Sequence, residues 1–205
     1  MELASMISGV TTVAMVLSFG LWAGMVVYLV ARWRTYREAG AADPQLGLKT
    51  ALAMFQTLSY QALLLGGFLL FSSLFTKYDD GRGDGVRLAF GVLVPAGLVF
   101  GAHWVALART NAVELPLVPR LFAGVSLIIT GIAGFVALLA LFTTLFGRGE
   151  GGEGLRKALA GVLVYSVAWV VQGLAFVRRV TTGAPPAGLQ QFARPVPPPA
   201  VPPPS

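Results

Sequence analysis

The chain has 205 residues, 56% of them hydrophobic and 12% charged, which is more apolar side chain than one soluble core of this size can hide. Its formal charge of +6 comes from basic residues placed around the ends of apolar segments and not from a continuous stripe, which argues against a nucleic-acid partner. No cysteine is present, so disulfides, Cys-ligated metals and Cys nucleophiles are excluded.

Five apolar segments, at about 6–31, 50–76, 88–108, 121–147 and 158–177, contain no Asp, Glu, Lys or Arg. Each runs for about 20 residues or more, enough to carry a helix across about 30 Å of hydrocarbon. Barrel strands would alternate polar and apolar residues over about 10 positions, and no segment does. The pattern predicts an all-α integral membrane bundle of five transmembrane helices over 1–180, followed by a Pro-rich, disordered tail over 181–205.

The first segment opens on Met1-Glu2-Leu3-Ala4 without a basic region and ends in Arg32-Trp33-Arg34 without a small-residue cleavage site. It is expected to be a retained span. Gly20 and Gly24 within it, like Gly97 and Gly101 in the third span, have the small-xxx-small spacing that lets helix backbones approach closely in lipid. They are candidate helix-packing residues, within the bundle or at a dimer face.

The second span carries the most polar membrane stretch, Gln56-Thr57-Leu58-Ser59-Tyr60-Gln61. Gln56 and Tyr60 share one helix face, as do Thr57 and Gln61, so hydrogen-bonding groups point inward over more than one turn. Gln56, Tyr60 and Gln61 are candidates either for interhelical hydrogen bonds or for a polar path or small-ligand site.

Pro95 in the middle of the third span denies the Gly91 carbonyl its helical partner and predicts a kink. His103, the only histidine, stands near the end of that span. A haem or metal site needs further strong ligands, and no acid or cysteine lies within the spans, so no cofactor or metal is expected and His103 is read as a hydrogen-bonded packing residue. Trp33 and Trp104 lie near span ends, where indoles anchor at the interface. Gly81-Arg82-Gly83-Asp84-Gly85 and Gly147-Arg148-Gly149-Glu150-Gly151-Gly152 read as flexible turns without a phosphate-loop context.

Spans two and three recur as spans four and five. Phe71-Ser72-Ser73-Leu74-Phe75 is echoed 71 positions on by Phe142-Thr143-Thr144-Leu145-Phe146, and Asp43-x-x-Leu46-x-x-Lys49 by Glu114-x-x-Leu117-x-x-Arg120. Gly91-Val92-Leu93-Val94 returns 70 positions on as Gly161-Val162-Leu163-Val164, with Tyr165 where the first copy has Pro95. A leading helix followed by two tandem, similarly oriented hairpins is the expected organisation.

With the N-terminus outside, the inner segments hold nine basic residues (Arg32, Arg34, Arg37, Lys49, Arg109, Arg120, Arg178, Arg179, Arg194) and the outer ones six. This favours N-out, C-in. The absence of acids within the spans disfavours proton- or sodium-coupled transport. In the tail, Pro195-x-x-Pro198 has the spacing of a polyproline ligand, although plain solvation accounts for it.

The region from Arg87 to Arg179 resembles a family of uncharacterised bacterial multi-pass membrane domains. The resemblance rests on Pro95 in a span closing with His103-Trp104 and Arg109, on Arg120-Leu121, and on Trp169 before Arg178. Family members carry a histidine near the last tryptophan, where this chain has Val170, Val171 and Gln172. The resemblance implies a helical domain of a bacterial inner membrane and no known activity. The function expected is a non-catalytic structural, accessory or signalling component that contacts lipid and associates through its helices, with itself or with another membrane protein. A small channel or uncoupled transporter lined along the second span is the alternative.

Overall fold

A computed structural model of the chain describes residues 22–34, 43–75, 82–110, 117–147 and 152–182, with side chains to residue 178. Residues 22–34 form helix α1. They are followed by α2 (Leu46–Phe75), α3 (Arg82–Ala108), α4 (Leu117–Phe146), α5 (Gly152–Gly161), a π-helical segment (Val162–Ser166) and α6 (Val167–Thr182). Backbone angles stay right-handed helical at Gly161 and Val167, so α5, the π segment and α6 continue as one rod. Among the described residues, four helices are long and apolar enough to cross a membrane: α2, α3, α4 and this rod over Gly152–Arg178. Of the expected first span, residues 22–31 are helical and 6–21 lie outside the described residues, as does the Pro-rich tail beyond Thr182.

The spans were expected too short. α2 starts at Leu46 and α4 at Leu117, four residues before the uncharged stretches open, and Arg82–Gly85 are helical rather than loop. A helix of 30 residues is about 45 Å long and so passes beyond the hydrocarbon into the interface, where charged side chains are tolerated. Local chemistry supports each start. The Asp43 carboxylate accepts from the Gln45 N–H at 2.9 Å, and the Asp43 carbonyl accepts from the Leu46 N–H at 3.2 Å. Asp84 stands in the first turn of α3, where the helix dipole favours an anion, and Pro119 occupies the first turn of α4, where no backbone donor is needed. At its other end α2 offers the Phe75 carbonyl to the Arg156 guanidinium at 3.2 Å.

Large apolar side chains lie outside and small ones inside. Leu98 is 71% exposed, Ile128 64% and Phe146 83%, whereas the buried positions include Ala53, Ala89, Ala96, Ala160, Ser59, Ser126 and Thr130. That inversion suits a bundle whose solvent is hydrocarbon, because helices gain nothing from hiding leucine from lipid and gain packing from close backbones. The larger core residues gather at one end, where Val27 and Ala31 of α1 meet Leu46 and Ala53 of α2, Leu107 of α3 and Val118 and Phe122 of α4. Lys49 is buried in the same region and forms an ion pair with the equally buried Asp43. The Asp43-x-x-Leu46-x-x-Lys49 motif is therefore both a helix cap and a buried charge pair.

α2 and α3 pack antiparallel, as do α4 and the rod. A Cβ added at Gly66 would stand 2.7 Å from Leu93, and Gly85 sits directly on the Ser73 hydroxyl. In the second hairpin a Cβ at Gly161 would stand 2.9 Å from that of Ala137, one at Gly134 would be 3.3 Å from the Ser166 hydroxyl, and Gly154 faces Thr144. α2 joins the two hairpins, packing on its partner α3 and also against α4 and α5 of the second.

Candidate functional site

The polar stretch of α2 meets α4 and α6 near the middle of the bundle. Serine and threonine in apolar helices commonly return their proton to the carbonyl four residues back, and Thr57, Ser59 and Thr130 do so, to Ala53, Phe55 and Ser126 at 2.7–2.8 Å. Gln61 has no such local outlet. Its amide nitrogen reaches across to α4, donating to the Ser126 hydroxyl at 3.1 Å and the Thr130 hydroxyl at 3.2 Å. Ser126 in turn donates to the Gln172 Oε1 of α6 at 3.1 Å. The Gln172 amide nitrogen donates to the Tyr60 hydroxyl at 2.8 Å and to Thr130 at 3.3 Å, which ties α6 back to α2.

Proton accounting fixes this arrangement. The Thr130 proton goes to the Ser126 carbonyl and the Ser126 proton to Gln172, so both hydroxyls can only accept from Gln61. Gln61 must therefore present its NH2 edge to α4. Ser126 and Thr130 are buried, and Tyr60 packs its ring against Phe100 of α3 with centroids 6.1 Å apart. The result is a cluster of amides and hydroxyls joining three helices, with no carboxylate or basic side chain in it. It can bind helices together by hydrogen bonding, and it holds neither a general base nor an activated nucleophile.

Of the residues singled out from the sequence, Tyr60 and Gln61 belong to this cluster. Gln56 is half-buried outside it. His103 hydrogen-bonds through Nδ1 to the Val99 carbonyl at 2.8 Å and rests against the Phe55 ring at 5.3 Å, at the lipid-facing side of the α2–α3 hairpin. Gly24 is buried against Met54 of α2, with an added Cβ 2.8 Å from the sulfur, while its partner Gly20 lies outside the described residues. Gly97 has only Leu63 nearby, at 3.9 Å, and around Gly101 there is nothing within 4 Å. The third-span glycines make no tight seam among the described residues.

The sequence reading missed Ser126, Thr130 and Gln172. Ser126 and Thr130 lie four apart on one face of the fourth span, which is a signal of the same kind as Gln56 and Tyr60. Gln172, noted only where the resemblance would place a histidine, is the sole amide of the fifth span and completes the network.

The fold and this cluster define a multi-pass helical membrane protein whose central helices are joined by intramembrane hydrogen bonds. Comparison with protein-family models, curated proteins and solved structures finds no match to the chain.

Proposed function

We propose that the protein is a non-catalytic structural, accessory or signalling component of a bacterial-type inner membrane, oriented N-out and C-in, which works by associating with another membrane protein or with itself. The observation that carries this reading is the hydrogen bonding of the polar cluster from helix to helix. Gln61, Ser126, Thr130, Gln172 and Tyr60 hydrogen-bond to one another across three helices, so they act as glue.

In the same reading the two hairpins are related copies behind a leading helix. Several features support it at the sequence offsets of 71 and 70. Ser59 back-bonds to Phe55 as Thr130 does to Ser126, and Ser73 to Leu69 as Thr144 does to Ala140. Phe71 and Phe75 pair at 6.3 Å, and Phe142 and Phe146 at 6.0 Å. Ser73 and Thr144, and likewise Leu63 and Gly134, stand 71 apart, and their packing partners on the returning helices, Gly85 and Gly154, and Gly97 and Ser166, stand 69 apart, one residue short of the offset of 70. Pro95 corresponds at an offset of 70 to Tyr165, which lies inside the π segment of the second returning helix, while α3 itself runs unbroken through Pro95. Parallel packing of α2 on α4 is what an axis along the membrane normal requires.

Native mass spectrometry of the protein purified in nanodiscs tests the proposal. A defined homo-oligomer or a co-purifying membrane protein is expected. A monomer that retains a polar small molecule, lost on Gln61→Leu, would overturn it in favour of a channel or uncoupled transporter.

A further inference from the structure

A cleft of about 550 Å³ opens between α2 and α3, at the end of the bundle where α2 begins and α3 finishes. Leu48 and Leu52 form its α2 side, Gly101, Ala102 and Ala106 much of its α3 side, and Arg109 stands at its end. The slot exists because α3 has small side chains here. Nothing lies within 4 Å of where a Gly101 Cβ would be, whereas further along the hairpin Leu93 presses on Gly66. From Gly101 to Arg109 the slot is about 12 Å long.

We propose that this cleft binds one anionic phospholipid, with an acyl chain in the slot and the phosphate on the Arg109 guanidinium. Three features point to that occupant. The walls are apolar and open to the membrane side, where hydrocarbon replaces water. Arg109 is exposed and lies in the turn just after Ala108, at the depth where α3 leaves the apolar layer. The same end of the bundle carries Arg32 and Arg34 at the end of α1 and Arg120 in the first turn of α4, basic residues of the kind that anionic leaflets attract. A second copy is a poorer fit, because in a shared membrane it would bring its own basic end to the same depth and set like charges against each other. The inference is independent of the proposed function.

The test is native mass spectrometry of the full chain in detergent, titrated with phosphatidylglycerol and phosphatidylcholine of identical acyl chains. Wild type is expected to retain phosphatidylglycerol about fivefold better. Arg109→Gln, a change at an exposed position, removes that preference, and Ala102→Leu with Ala106→Leu reduces retention of both lipids by filling the slot. Arg82→Gln, at the opposite end, leaves the preference intact. Equal retention of the two lipids by wild type, or an unchanged preference in Arg109→Gln, would overturn the proposal. So would a dimer that dissociates when Ala102 becomes Leu.

Discussion

Ser126 and Thr130 each have one hydroxyl proton, and both are committed before Gln61 arrives. Removing the Gln61 amide therefore leaves the buried Ser126 oxygen short of a donor and Thr130 with only that of Gln172, while removing Gln172 takes the acceptor from Ser126 and a donor from Tyr60. Interhelical hydrogen bonds within membranes contribute about 0.6 kcal/mol on average and about 1.7 at most. Gln61→Leu and Gln172→Leu are each expected to cost about 1–2 kcal/mol, and the double variant less than their sum, because Thr130 accepts from both amides. A double-mutant cycle on detergent unfolding measures that coupling, and strict additivity would mean that the two amides act separately. Gln56→Leu, outside the network, is expected to change stability by less than either.

The glycines make the matching case for the helices. Gly161 touches Ala137 closely enough that a side chain must push α5 from α4, whereas Gly91 has open space where its Cβ would go. Gly161→Leu is expected to destabilise by about 1–3 kcal/mol through overpacking. Gly91→Ala is expected to be neutral or to stabilise by up to about 1 kcal/mol through helix propensity. Thermal melts of both variants in one detergent check the contrast. These close approaches were not legible in the sequence. Of the four glycines chosen for their spacing, Gly24 proved to be packed and Gly101 open, while Gly66, Gly131 and Gly161 make contacts that depend on what the neighbouring helix presents: Leu93, Trp169 and Ala137. The helices themselves were legible because a long uncharged run needs no periodicity to be recognised. Their ends were not, since Lys49 looked like the edge of a span and is a buried partner of Asp43 one turn into α2. Two of the five residues of the polar cluster, Tyr60 and Gln61, were visible. Ser126 and Thr130 share a face four residues apart, but neither they nor Gln172, the one amide of its span, carry a sequence mark of which helix they will meet.

For the whole molecule, orientation and cohesion are the quantities to settle. The chain contains no cysteine, so single introduced thiols report topology without background. Gly83→Cys, at the start of α3, is expected to react with an impermeant maleimide on intact cells, and Thr110→Cys, just after α3, only once the membrane is opened. The reverse pattern would place the basic end outside. Cohesion bears most directly on what the protein does, because the same cluster serves as glue or as part of a path depending on whether it opens. The decisive measurement is solute efflux from proteoliposomes, together with the unfolding temperature, for wild type and Gln61→Leu. Background efflux in both proteins and a lower unfolding temperature in the variant are predicted. Wild-type efflux that vanishes in a variant of unchanged stability would contradict the account.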